Sequence, residues 1–246
     1  MADTYEELLE KGESLFALDQ GDEAKPYFQE ALALLESILD REALNYGAWA
    51  GKGDALAGLD RCDEAIPCFE RALELKPGTG DVMSKKGFAL QRLGRHEEAV
   101  INYDEAIRQK ADCYDAWHRR SYSLARLERW KEALSSLDEA IKLRPQSYVA
   151  LTNRASLLLK TELYDDAIQN CNKAITLKSS YWPAWFYKGL SLAELGRFPE
   201  ALSAVDEARD KCPTSRGQEL IEIMKAREMI VYRSTPWWRR MLSPEF

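Results

Sequence analysis

The chain has 246 residues, of which 46% are hydrophobic and 30% are charged, a composition typical of a globular protein rather than a disordered one. Its formal net charge of −7 argues against non-specific binding to nucleic acid. The sequence has neither a recognisable signal peptide nor an apolar run of about 18 residues, and its five cysteines are widely spaced, so we expect a cytoplasmic protein with reduced thiols.

The predicted elements along the chain are paired helices, because alanine recurs in two columns at an interval of 34 residues. Small residues at a fixed interval are expected where helices cross closely in a stack of identical hairpins. The pattern therefore predicts an all-α solenoid. The two columns consist of Ala65, Ala99, Ala133, Ala167 and Ala201, and of Ala72, Ala106, Ala140, Ala174 and Ala208.

Other positions of the 34-residue repeat are also restricted when each repeat is numbered from 1 and the second begins at Tyr46. Position 4 is tryptophan in three of five repeats, position 8 is small, position 11 is always leucine and position 32 is proline in three. These columns closely resemble those of the tetratricopeptide repeat (TPR) family, in the style of its cyanobacterial and archaeal members. The resemblance implies a right-handed superhelix of six helix–turn–helix repeats over residues 3–213, with a groove for partners. The expected repeats are residues 3–45, 46–79, 80–113, 114–147, 148–181 and 182–213.

Two parts of the chain depart from this period. In the first repeat, Ala31 lies 41 residues before Ala72 rather than 34, and the added sequence has no glycine or proline, so the second helix is expected to be about two turns longer. Residues 214–233 place apolar side chains at helical spacing, which predicts a helix that caps the last repeat. Residues 234–246 have no helical pattern and are expected to form a flexible tail.

No arrangement of residues in the sequence is typical of catalysis. The chain has only two histidines, His96 and His118, which argues against a metal triad or a Ser–His–Asp arrangement. The segment 47–52 resembles a phosphate loop, but it is one residue short, lacks the following Ser or Thr and lies in a predicted helix. We therefore expect no enzymatic activity, no metal and no cofactor.

Two basic series follow the repeat. The series at position 7 runs beside an acidic column at position 25, so these cations are expected to pair with acidic residues between helices. The series at positions 6 and 13 has no matching acidic column. The TPR resemblance implies that positions 2, 5, 6, 9, 12 and 13 of each first helix face the groove. The predicted groove residues are Lys85, Phe88, Arg92, His118, Arg119, Tyr122, Arg126, Asn153, Lys160, Phe186 and Tyr187.

These features predict a non-enzymatic scaffold, adaptor or assembly factor that binds a protein or peptide. Because the groove combines cations with aromatic side chains, the bound segment is expected to be acidic or to end in a carboxylate. A groove that is merely solvated is the alternative. A TPR co-chaperone is less favoured, because only Asn153 matches the carboxylate clamp of such proteins. The other clamp places hold His118, Tyr122, Pro183 and Tyr187.

The C-terminal tail contains Trp237, Trp238, Arg239 and Arg240. Tryptophan and arginine together favour a membrane interface or a protein pocket. A peripheral-membrane assembly factor docked through this tail is therefore a second interpretation. A tail that stays free or folds back on the solenoid is a third. The sequence identifies neither the partner nor the oligomeric state.

Overall fold

The computed structural model describes residues 4–17 and 20–235, and these residues form thirteen α-helices without a β-strand. The all-α repeat fold predicted from the alanine columns is thereby confirmed. The chain divides into two compact units, an N-terminal unit up to Arg129 that contains α1–α7 and a C-terminal unit from Trp130 that contains α8–α13. The helices are α1 (Tyr5–Ala17), α2 (Gly21–Arg41), α3 (Tyr46–Gly58), α4 (Cys62–Leu75), α5 (Gly80–Arg92), α6 (His96–Gln109), α7 (Tyr114–Arg126), α8 (Trp130–Leu143), α9 (Tyr148–Lys160), α10 (Tyr164–Leu177), α11 (Trp182–Glu194), α12 (Phe198–Lys211) and α13 (Gly217–Ser234).

The core of each unit lies between successive helices and contains the alanine columns. Every alanine of both columns is at most 1% exposed. In the N-terminal unit α1 packs on α2, α3 on α4 and α5 on α6, and in the C-terminal unit α9 packs on α10 and α11 on α12. Alanine at each crossing lets two helix backbones approach closely, so the interval in the sequence becomes a repeat in the packing.

Glycines of α1 and α3 allow aromatic rings of neighbouring helices to reach the helix backbone. The Phe28 ring lies so close to both helices that a Cβ at Gly12 would stand 2.7 Å from it and a Cβ at Gly58 would stand 2.6 Å from it. A Cβ at Gly53 would stand 2.4 Å from the Phe69 ring. Both rings are at most 2% exposed. Any larger residue at these glycines would therefore push the rings out of a close-packed core.

Helix α2 has the extra length that the sequence predicts for the first repeat. It spans 21 residues, whereas its counterpart α4 spans 14. Leu35 and Leu39 are buried in the added part of the helix. In the same part Glu36 lies 3.0 Å from Lys52 of α3. The added turns therefore extend the contact between α2 and the following helix pair.

Helix α13 covers the last helix pair of the C-terminal unit. Its Ile223 and Ile230 are fully buried in one apolar cluster with side chains of α11 and α12. Arg227 Nε of α13 lies 2.7 Å from the Asp206 carboxylate of α12. The helix thus shields apolar surface of α11 and α12 that the end of a repeat array would otherwise expose to water.

Candidate functional site

The position-7 cations link neighbouring helices. Four of the five reach an acidic residue of a second helix, as the sequence predicts: Lys52–Glu36 (3.0 Å), Lys86–Glu70 (2.9 Å), Arg120–Asp104 (2.6 Å) and Arg154–Asp138 (2.7 Å). The fifth, Lys188, lies 5.4 Å from the centre of the Trp185 ring. Half-exposed pairs of this kind contribute on the order of 0–1 kcal/mol each. Their main consequence is that these cations are already paired within the chain and are less available to a partner.

Two cations of the second basic series also have acidic partners, which corrects the sequence interpretation. Lys85 Nζ lies 2.7 Å from the Asp54 carboxylate and 3.5 Å from that of Asp81. Arg92 lies 2.6 Å from Asp60. Asp54 and Asp60 precede their partners by about one repeat and lie at different repeat positions. No single acidic column in the sequence therefore predicted these two ion pairs.

Arg119 is held on the face of an aromatic ring. Its guanidinium carbon lies 4.1 Å from the centre of the Phe88 ring, and that of Arg92 lies 5.8 Å from the same ring. Within residues 4–17 and 20–235, Arg119 forms no salt bridge. The cation–π contact fixes the position of the guanidinium without neutralising its charge.

The other predicted side chains of α7 differ in burial. His118 stacks on Tyr114, with ring centres 5.5 Å apart and planes within 7° of parallel. Burial and the nearby Arg119 charge lower the pKa of His118, which favours the uncharged ring at neutral pH. Tyr122 is half exposed, and Arg126 is exposed at the last position of α7.

A cavity of about 450 Å³ in the N-terminal unit brings part of this set together. Lys85, Phe88 and Arg119 line it, as the groove prediction expects. The sequence analysis selected none of the other lining residues, although most of them occupy groove positions. Glu13 and Phe16 are at positions 9 and 12 of the first repeat, Asp54 is at position 9 of the second, and Asp81 and Asp115 are at position 2 of the third and fourth. The same position rule, applied to every residue type and to all repeats, would have found them. The remaining aromatic lining residues are Phe28 and Phe69.

Asp54 is a mostly buried carboxyl in this cavity, with 13% of its side chain exposed. Burial raises its pKa to about 6; the Lys85 ammonium opposes this rise, while the charges of Glu13 and Asp81 add to it. Burial alone would lower the pKa of Lys85, but Asp54 and Asp81 raise it above its ordinary value. Lys85 therefore stays charged, whereas Asp54 titrates near pH 6.

In the C-terminal unit the predicted aromatic residues take part in packing. Phe186 packs with Trp182 against the core of α11 and α12. Tyr187 packs against the apolar cluster between α9 and α10, where burial raises its pKa. Asn153 is partly buried, and Lys160 is exposed at the last position of α9. Lys160 is thus the predicted residue of this unit most open to a partner.

The predicted docking residues of the tail, Trp237, Trp238, Arg239 and Arg240, lie outside the described residues. Among the helices that the structure describes, none has the length and apolar character needed to cross a membrane.

Comparison with known protein families identifies the repeat. A tetratricopeptide repeat model matches residues 2–78, and a second one matches residues 84–148, 118–181 and 152–216. The chain belongs to the tetratricopeptide repeat family. TPR proteins are generally non-enzymatic scaffolds that bind proteins or peptides. None of the curated proteins compared with this TPR protein gives a significant match.

Solved structures share the fold of this TPR protein at low sequence identity. YrrB, described as a TPR protein with an unusual peptide-binding site, is 18% identical, with a TM-score of 0.64 and coverage of 78% of this chain and 97% of YrrB. MamA is 20% identical, with a TM-score of 0.62 and coverage of 65% of this chain and 93% of MamA. Yeast Tom70 is 19% identical, with a TM-score of 0.66 and coverage of 94% of this chain and 47% of Tom70. At these identities the likeness concerns the fold alone.

Proposed function

We propose that this TPR protein is a scaffold, adaptor or assembly factor that holds a segment of a partner protein against α1, α3, α5 and α7. The observation that carries the proposal is the cavity of about 450 Å³, which four aromatic and six charged side chains line. Sites that combine apolar walls with a few placed polar groups are typical of binding pockets. Aromatic and arginine side chains are also the usual anchors of protein interfaces.

Cations that the fold itself does not neutralise support an acidic or carboxylate-ending partner. Lys85 and Arg92 already pair with acidic residues of the chain, so they contribute little to such a partner. Arg119 and Arg126 form no salt bridge in the part of the chain that the structure describes. We assign the acidic group of the partner to these two side chains.

The two alternative functions have less support. A co-chaperone clamp requires a cation where this chain has His118, and that ring is stacked on Tyr114 with a lowered pKa. Docking at a membrane depends on Trp237 and Trp238, which lie outside the described residues. The partner-binding scaffold is therefore the function that we carry forward.

The proposal is tested by charge reversal on the binding face. The wild-type chain and the Arg119→Glu/Arg126→Glu variant are used as baits, and retained proteins are identified by mass spectrometry. We expect the variant to lose specific partners, and we expect added salt to weaken their binding to the wild type, because both changes remove the same attraction.

A matched control makes the same charge change in the C-terminal unit. Lys131→Glu/Lys173→Glu reverses two exposed cations on α8 and α10. This control should retain the partners of the wild type. The proposal of an acidic partner fails if the Arg119→Glu/Arg126→Glu variant retains the same partners as the wild type, with the same salt dependence.

A further inference from the structure

The charge of the cavity differs from the charge that the basic series predicts. Four carboxylates line it, Glu13, Asp54, Asp81 and Asp115, whereas the lining cations are Lys85 and Arg119. The lining therefore carries an excess of two negative charges when all six groups are ionised. Lys85 is already shared between Asp54 and Asp81, at 2.7 Å and 3.5 Å.

The titration of Asp54 agrees with this excess. A salt bridge normally lowers the pKa of a carboxyl, yet that of Asp54 is about 6. Burial is the largest cause, and the charges of Glu13 and Asp81 raise the pKa further. Both carboxylates are therefore within electrostatic reach of Asp54. The single ammonium of Lys85 thus interacts with all three of these carboxylates.

The walls of the cavity suit a long side chain with an apolar stem. Phe28 and Phe69 are buried beneath it, and Phe88 forms another wall. Phe16 also lines the cavity and leaves 45% of its surface exposed. The stems of lysine and arginine pack on such surfaces, and their charged heads favour the faces of aromatic rings.

An organic cation fits this site better than a metal ion. Among the described residues, no group of three or more His, Cys, Asp and Glu side chains is placed to hold a metal. A volume of about 450 Å³ is also far larger than a single ion requires. The cavity instead has room for a side chain together with part of the segment that carries it.

We propose that this cavity receives a lysine or arginine side chain of the partner segment, with the charged head near Asp54, Glu13 and Asp81 and the stem against Phe16. The inference rests on the proposed function, because it assumes that a partner segment lies on this face. It deepens that function by requiring a basic residue in the segment besides the acidic group assigned to Arg119 and Arg126.

The test uses a random peptide library displayed on phage and selected against the full chain. The selected peptide and an analogue with its Lys or Arg replaced by Met are then titrated by fluorescence polarisation. We expect a basic residue at one fixed position of the selected peptides. Replacing it by Met should weaken binding about tenfold, which corresponds to about 1.4 kcal/mol.

Variants of the chain show whether that basic residue acts in the cavity. Glu13→Gln/Asp81→Asn should weaken the selected peptide about tenfold but leave the Met analogue unchanged, because that analogue has already lost the interaction. The control Glu30→Gln/Asp40→Asn removes two exposed carboxylates of α2 and should leave both affinities unchanged. Equal losses for both peptides, or a loss in the control as large as in the test variant, would overturn the inference.

Failure of the inference is distinguishable from failure of the proposed function by Phe16→Ala, which truncates the half-exposed ring of the cavity. Peptides that lose affinity for Phe16→Ala but show no preference for a basic residue would overturn the inference and leave the binding face in place. A selection without peptides, or peptides that bind Phe16→Ala as well as the wild type, would overturn both. These interpretations apply to variants whose circular dichroism spectrum shows the same helical content as that of the wild type.

Discussion

At the scale of single residues, the Asp54 carboxyl makes the stability of the N-terminal unit depend on pH. Its pKa in the folded chain is about 6, above the ordinary value of 3.8, chiefly because of burial. Between these values the folded state binds more protons than the unfolded state. The contribution of Asp54 to the free energy of unfolding therefore falls as the pH rises through 6, by at most about 2–3 kcal/mol.

This dependence is measured against the Asp54→Asn variant, which does not titrate at that position. The free energy of unfolding of the wild type minus that of the variant should decrease between about pH 4 and about pH 7.5. The other charged groups that line the cavity, Glu13, Asp81, Lys85, Asp115 and Arg119, are present in both proteins, so their effects largely cancel in the difference. A difference that stays constant or increases with pH would show that Asp54 is not held in its neutral form.

At the scale of secondary structure elements, α13 stabilises the end of the array through a few buried side chains. Ile230 is 0% exposed, whereas Ile221 on the same helix is 47% exposed. Ile230→Ala should lower the free energy of unfolding by about 2–5 kcal/mol, because it leaves a cavity against α11 and α12. Ile221→Ala should change it by less than about 0.5 kcal/mol. Urea denaturation of the two variants measures both values, and equal effects would contradict the placement of α13.

The sequence predicted the helices better than the binding face, for a physical reason. Alanine and leucine columns reflect the same packing contact in every repeat, so the contact appears in the sequence as a period. The ion pairs of Lys85 and Arg92 are made with acidic residues at unmatched repeat positions, which a column cannot reveal. Glu13, Phe16 and Asp54 come from the first two repeats, and the selection of basic and aromatic side chains in repeats 3 to 6 omitted them together with Asp81 and Asp115.

At the scale of the whole molecule, different forces maintain the fold and select the partner. The alanine crossings are apolar and buried, so salt should affect them little. The proposed binding face instead combines the partly buried cation of Arg119 and the exposed cation of Arg126 with a negatively charged cavity, within a chain of net charge −7. A partner segment with one acidic and one basic group would complement this face, whereas a uniformly acidic or basic segment would meet repulsion at one end.

The C-terminal tail follows directly on α13, which ends at Ser234. Its role is the last prediction at this scale. Trp237 and Trp238 would each contribute roughly 1.5–3 kcal/mol if they were fully buried. We propose that they dock on a partner or a membrane surface rather than on the helices of the chain. Deleting residues 236–246 should therefore change the melting temperature by less than about 2 °C, while association with a partner or with anionic vesicles is lost.

Vesicle flotation completes this test. Vesicle flotation with the wild type and with Trp237→Ala/Trp238→Ala separates membrane docking from protein docking, since only membrane docking carries the chain upward with the lipid. The same substitutions leave Arg239 and Arg240 in place, so a loss of flotation is due to the aromatic rings rather than to charge. If the deletion lowers the melting temperature by several degrees, the tryptophans stabilise the C-terminal unit itself and the docking proposal is wrong.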